Sequence, residues 1–125
     1  MGASVKLDEF LAYLGDEPGW MDAERVGIMT RDPSGDTPLH AALWARDDEA
    51  ARALVDGGAD VNAVGDMSET PLHVAVAQGN AALARYLVEH AASWDIVSEF
   101  GVSARNKALR SDDRELRALA ASAGR

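Results

Sequence analysis

Thr37-Pro38-Leu39-His40-Ala41-Ala42 returns 33 residues later as Thr70-Pro71-Leu72-His73-Val74-Ala75. The repetition runs well beyond the hexapeptide. Leu54-Val55 recurs as Leu87-Val88, Ala59 recurs as Ala92, and Gly35, Ser68 and Gly101 hold one position in three successive periods. A period of this length describes one supersecondary unit that buries its apolar face on the next. Within each period the residue types spell turn, short helix, loop and longer helix. Thr37 and Thr70 bring a hydroxyl to a helix start, where backbone N–H groups lack partners. Pro38 and Pro71 follow at the first helical position, which needs no N–H and suits a fixed φ. Leu39 and Ala42, like Leu72 and Ala75, are three apart and share a buried face. Gly35 and Gly101 suit a turn residue with positive φ, and Ser68 departs from that pattern.

Thr-Pro-Leu-His-x-Ala at a 33-residue period resembles the ankyrin-repeat family. The resemblance implies an all-α solenoid of about four stacked helix pairs joined by β-turn or hairpin loops. Composition agrees with helices: 24 of 125 residues are Ala, and only 6% are aromatic. Small residues also let neighbouring helices approach closely. The chain divides into an N-terminal helical cap (1–30), two repeats (31–63 and 64–96) and a degenerate repeat that serves as C-terminal cap (97–125). Solenoids need atypical ends because an uncapped stack exposes its inter-repeat face to water.

In the first segment Ser4 is expected to cap a helix with Leu7, Phe10, Leu11 and Leu14 on one face and Gly15 at its end. Trp20-Met21 begins a second, shorter helix to about Arg25, either covering the first repeat or forming part of a binding edge. In the first repeat, Asp47-Asp48-Glu49 starts the longer helix, where the dipole favours acids. Gly57-Gly58 closes that helix in a left-handed cap. In the second repeat Leu83, Tyr86, Leu87 and Val88 form the inward side of the longer helix. Ala91 stands where a closing glycine is usual, and Ser93-Trp94-Asp95-Ile96 replaces the usual exit. The last unit keeps an N-cap hydroxyl at Ser103, loses the proline, and forms its second helix from Asp112 to about Ala121. Phe10, Leu43, Val76 and Leu109 make an apolar column at 33-residue spacing.

The net charge is −9, and it is unevenly placed. Residues 1–97 carry 17 acidic and 6 basic side chains, net −11, whereas residues 98–125 carry 4 and 6, net +2. Such a body repels nucleic acid and anionic membranes and attracts basic protein surfaces. No cysteine is present, so disulfides, thiolate metal sites and a cysteine nucleophile are excluded. No apolar run approaches the ~18 residues of a spanning helix, and no signal pattern opens the chain. A cytoplasmic, monomeric protein is expected. Ten arginines against two lysines, with the many alanines, suggest a GC-rich bacterial genome.

His40 and His73 lie one repeat apart, without the i, i+4 spacing of a helical metal pair. By resemblance their role is structural. No phosphate loop, nucleotide fingerprint or catalytic triad pattern occurs, so no enzyme, no cofactor and no metal is expected. Protein binding remains. By resemblance the contact positions are the turn residues and the ends of the first helices: Asp36, Trp44, Asp66, Met67, Glu69, Gln78, Glu99 and Phe100. Trp44 is the candidate anchor, because its equivalents Ala77 and Arg110 show that the stack needs no large apolar group there. It either anchors a partner inside an acidic ring or folds over the cap helix near Leu11. The partner is expected to be a basic protein, held by an inhibitor or immunity protein acting against a toxin, or by a general adaptor or assembly factor; an enzyme or metal binder is the remote alternative.

Overall fold

The computed structural model describes residues 2–20 and 26–123. Among them are seven α-helices: α1 (Gly2–Gly15), α2 (Pro38–Trp44), α3 (Asp48–Asp56), α4 (Pro71–Ala77), α5 (Ala81–Glu89), α6 (Ala104–Leu109) and α7 (Arg114–Ser122). The short helices α2, α4 and α6 pack in one row, and the longer helices α3, α5 and α7 pack in a second row. No named strand occurs among the described residues; a single bridge joins Val97 to Ser103. The fold is an all-α stack of helix pairs.

Each pair begins with the same closed turn. The N–H of Asp32 donates to Asp36 O at 2.9 Å, that of Gly65 to Glu69 O at 2.8 Å, and that of Ser98 to Val102 O at 2.9 Å. Thr37 and Thr70 then act as N-caps with extended backbone, and proline opens the helix. In the last pair Ser103 accepts from Asn106 N at 3.1 Å and donates to Asn106 Oδ1 at 2.8 Å, so Asn106 takes the histidine's place as capping partner. The longer helices are capped by Asp47, Asn80 and Asp113, again 33 residues apart, each accepting from the backbone N–H three residues on.

Leu39, Leu43, Leu54, Leu72, Leu83, Leu87 and Leu116 are buried between the rows, and the alanines around them allow close approach. Leu83 and Leu87 are buried as expected; Tyr86 and Val88 are only partly so, and the Tyr86 hydroxyl reaches Asp56 of α3 in the same row. The apolar column needs correction at one end. Phe10, Leu43 and Val76 are buried, but Leu109 is 43% exposed, because no further unit covers it among the described residues.

Two other expectations change. α1 begins at Gly2, so Ser4 lies inside its first turn and is not the cap. This helix packs chiefly on α3. The last helix starts at Arg114 with Asp113 as its cap, two residues later than Asp112. Trp20 is buried in the core, whereas Met21–Arg25, the rest of the expected second helix, lie outside the described residues. The exit at Ser93–Ile96 buries Trp94 in the core. Arg105 ties that exit down, pairing with Asp95 at 2.9 Å and donating to the carbonyls of Ala120 and Ala123.

The repeat period also enforces backbone conformation where sequence has drifted. Ser68 keeps φ +60°, matching Gly35 at +100° and Gly101 at +77°, and Ala91 keeps φ +76°, matching Gly58 at +104°. A β-carbon costs about 1–2 kcal/mol in this region, and glycine's extra unfolded-state entropy returns part of that. Ser68→Gly and Ala91→Gly are therefore each expected to stabilise the protein by about 0.5–1 kcal/mol. Urea unfolding should show a higher midpoint at unchanged slope; a lower midpoint would mean that the side chain contributes more than the strain removes.

Candidate protein-binding site

The turns and the C-terminal ends of α2 and α4 share one side of the stack, and the candidate residues lie along it. Backbone and side-chain bonds hold successive turns together. Asp36 Oδ1 accepts from Asp66 N at 2.8 Å, and Glu99 N donates to Met67 O at 3.1 Å. Arg31 spans the first two turns, donating to Gly35 O at 2.6 Å and Val64 O at 2.7 Å. This stitching requires Gly65: a β-carbon there would stand 2.4 Å from Asp36 Oδ1 and 2.8 Å from His40 Nε2.

Beneath the turns the two histidines are fixed. The His40 ring donates from Nε2 to Glu69 O at 2.9 Å, and its Nδ1 faces the N–H of Thr37 at 3.3 Å and the Thr37 hydroxyl at 2.9 Å. His73 repeats this with Val102 O at 2.9 Å and Thr70 N at 3.1 Å. A carbonyl can only accept and an amide N–H can only donate, so both rings are neutral with the proton on Nε2. Burial pushes the His40 pKa below its ordinary value; the Glu69 carbonyl and the nearby Asp36 pull the other way and do not prevail. With both nitrogens engaged, neither ring is open to a metal. Among the described residues no group of three His, Cys, Asp or Glu side chains is placed to hold one.

Three large apolar side chains stand in water along this side, one from each unit: Trp44 (52% exposed), Met67 (48%) and Phe100 (64%). Met67 is also held at φ +58°, a conformation costly for a side chain, which aims it out of a turn already strained at Ser68. Trp44, Asp36, Asp66, Met67 and Glu69 line a small cleft of about 150 Å³ floored by His40 and Val74. Gln78 sits behind the tryptophan, donating to Trp44 O at 3.4 Å, with its Oε1 buried and unpartnered among the described residues.

The carboxylates are not equivalent. Glu69 pairs with Lys107 at 3.4 Å and has a largely buried side chain, so its charge is spent inside the stack. Asp36, Asp66 and Glu99 form no ion pair among the described residues; Asp66 and Glu99 are exposed. On its other side Trp44 lines a larger cleft shared with Tyr13 and Glu17, two residues that the sequence pattern does not single out. The available signal was Tyr13 itself, an aromatic lying off the Leu7, Phe10, Leu11, Leu14 stripe.

Comparison with known families now decides the classification. The model for ankyrin repeats (3 copies) matches residues 7–99, about three quarters of the chain. The chain belongs to the ankyrin-repeat family. No curated protein matches it. Ankyrin repeats are modules for protein–protein interaction and are in general not catalytic. Among the described residues no helix is long and apolar enough to cross a membrane.

Proposed function

We propose that this ankyrin-repeat chain is a non-catalytic binder of a basic protein, and that the partner docks across Trp44, Met67 and Phe100. The observation that carries the reading is the setting of these three exposed apolar groups, one per unit, among Asp36, Asp66 and Glu99, which carry no internal counter-charge among the described residues. Apolar anchors inside a charged rim are the usual composition of a docking patch. The unpaired acids steer a basic surface toward it. Residues 1–30 and 97–125 act as caps that shield the stack, and the chain works as a monomer in the cytoplasm. Within this reading the finer role is that of an inhibitor or immunity protein that occludes a basic toxin; the adaptor role differs only in leaving the partner active.

The test is capture of the partner from source cells, followed by binding kinetics at two salt concentrations. Asp66→Lys and Glu99→Lys together should slow association by about tenfold at low salt and flatten its salt dependence. These two are chosen because Asp36 and Glu69 also hold the turns together. Association that ignores both substitutions contradicts charge steering at this face. Loss of the captured partner's activity on adding the chain identifies an inhibitor, and unchanged activity an adaptor.

A further inference from the structure

The larger cleft, about 430 Å³, lies where α1 meets the end of α2, and its lining is unusual. Tyr13 enters from α1 and Trp44 from α2, both about half exposed, with buried Phe10 behind Tyr13 at 5.9 Å between ring centroids. The Tyr13 and Trp44 rings do not stack on each other among the described ring contacts, so neither covers the other's face. Glu17, Asp32 and Asp36 line the same space, each half-buried, and none forms an ion pair with a described basic side chain. Asp32 directs Oδ1 into its own turn, accepting from Ser34 N at 3.0 Å and Asp36 N at 2.9 Å. Its Oδ2 faces Gly19, another residue of the cleft wall.

Aromatic faces and partly desolvated carboxylates ask for the same occupant. A ring's quadrupole attracts a cation above its face, and a half-buried carboxylate gains more from a counter-charge than a fully solvated one. A planar guanidinium satisfies both, stacking on a ring while its N–H fork meets a carboxylate. An ammonium is more strongly hydrated and offers no plane to stack.

We propose that this cleft is the seat of an arginine side chain presented by the partner protein. The proposal rests on the docking reading above and names the group that Trp44 engages. The guanidinium lies between the Tyr13 and Trp44 faces, and Glu17, Asp32 and Asp36 supply its counter-charge. Because Trp44 also walls the smaller cleft beside Asp66, the arginine seat is continuous with the rest of the docking patch.

The experiment uses the full chain, ¹⁵N-labelled, titrated with the blocked tripeptide acetyl-Gly-Arg-Gly-amide. The same peptide with citrulline or lysine in the middle is titrated in parallel. Citrulline keeps the shape of arginine and removes the charge. The arginine peptide should move the Trp44 indole N–H and the amides of Glu17 and Asp32, with millimolar affinity. Citrulline should bind at least about tenfold more weakly, with lysine in between. Tyr13→Ala and Glu17→Gln, both at the cleft wall and outside the core, should each weaken the arginine response several-fold. Equal shifts from the citrulline and arginine peptides overturn the proposal. So does an arginine response confined to the Met67 and Phe100 turns, or none at tens of millimolar peptide. In each of those cases, partner association still slowed by Asp66→Lys and Glu99→Lys leaves the docking reading standing, whereas unaltered association means that both have failed.

Discussion

A chain lacking residues 1–30 is expected to lose cooperative folding. α1 lies across α3, and Phe10, Leu14, Trp20 and Val26 all join the buried core. Burying a large apolar side chain is worth about 1.5–3 kcal/mol, so four of them contribute roughly 6–12 kcal/mol. That is as large as the whole stability of a typical domain, about 5–15 kcal/mol. Deletion also strips α1 from α3, whose Leu54 is fully buried in the intact stack. Exposed faces of this kind associate. Thermal unfolding followed by circular dichroism should broaden or vanish, and size-exclusion chromatography should show aggregates. A truncated chain that stays monomeric and melts sharply at the original temperature would make the first thirty residues an appendage and refute their role as a cap.

His73→Ala should cost about 1–3 kcal/mol, because the buried Thr70 amide is left without a partner and the Val102 carbonyl keeps only the Ser98 N–H. His40→Ala removes the matching bonds to Thr37 and Glu69, one repeat closer to the N-terminus. His40 also makes stability depend on pH, with a definite sign. Burial lowers its folded pKa below the ordinary 6.5. A depressed histidine contributes stability that is complete above its unfolded pKa and is lost as pH falls through the folded one. Protonation puts a second donor on Nδ1, against the Thr37 N–H. The denaturation midpoint should therefore drop between pH 7 and pH 5, and His40→Ala should flatten that drop. An unchanged slope in the variant would show that other groups govern the acid limb.

Much of this architecture is legible in the sequence because the period imposes it locally. The threonine caps and the first-turn prolines depend on near neighbours in the chain, and short-range rules reach them. The pattern even fixes backbone where residues have drifted, since Ser68 and Ala91 keep the positive φ of the glycines they replace. Legibility fails where contacts are long-range. Nothing in residues 1–15 says that α1 rests on α3, because an amphipathic stripe names a buried face and not its neighbour. Leu109 matches the apolar column and is nonetheless 43% exposed, since burial at the end of a stack requires another unit to cover it. Glu69 reads as one more acid of a ring, but its partner Lys107 lies 38 residues on, reached only through the stacking of α6 on α4. Tyr13 enters the candidate site for the same reason, brought to Trp44 by packing that no local pattern encodes.

The location of the docking patch is tested most directly by dissociation of the captured partner from Trp44→Ala, set beside a variant of the opposite, outer row. Arg85→Glu serves as that comparison, because Arg85 belongs to α5 and pairs with Glu115 of α7 on the far side of the stack. An anchoring tryptophan is worth about 2 kcal/mol or more, so Trp44→Ala should release the partner roughly 30-fold faster while Arg85→Glu leaves the rate unchanged. Release unaffected by Trp44→Ala and accelerated by Arg85→Glu would move the interface to the outer helices and contradict a docking patch centred on Trp44.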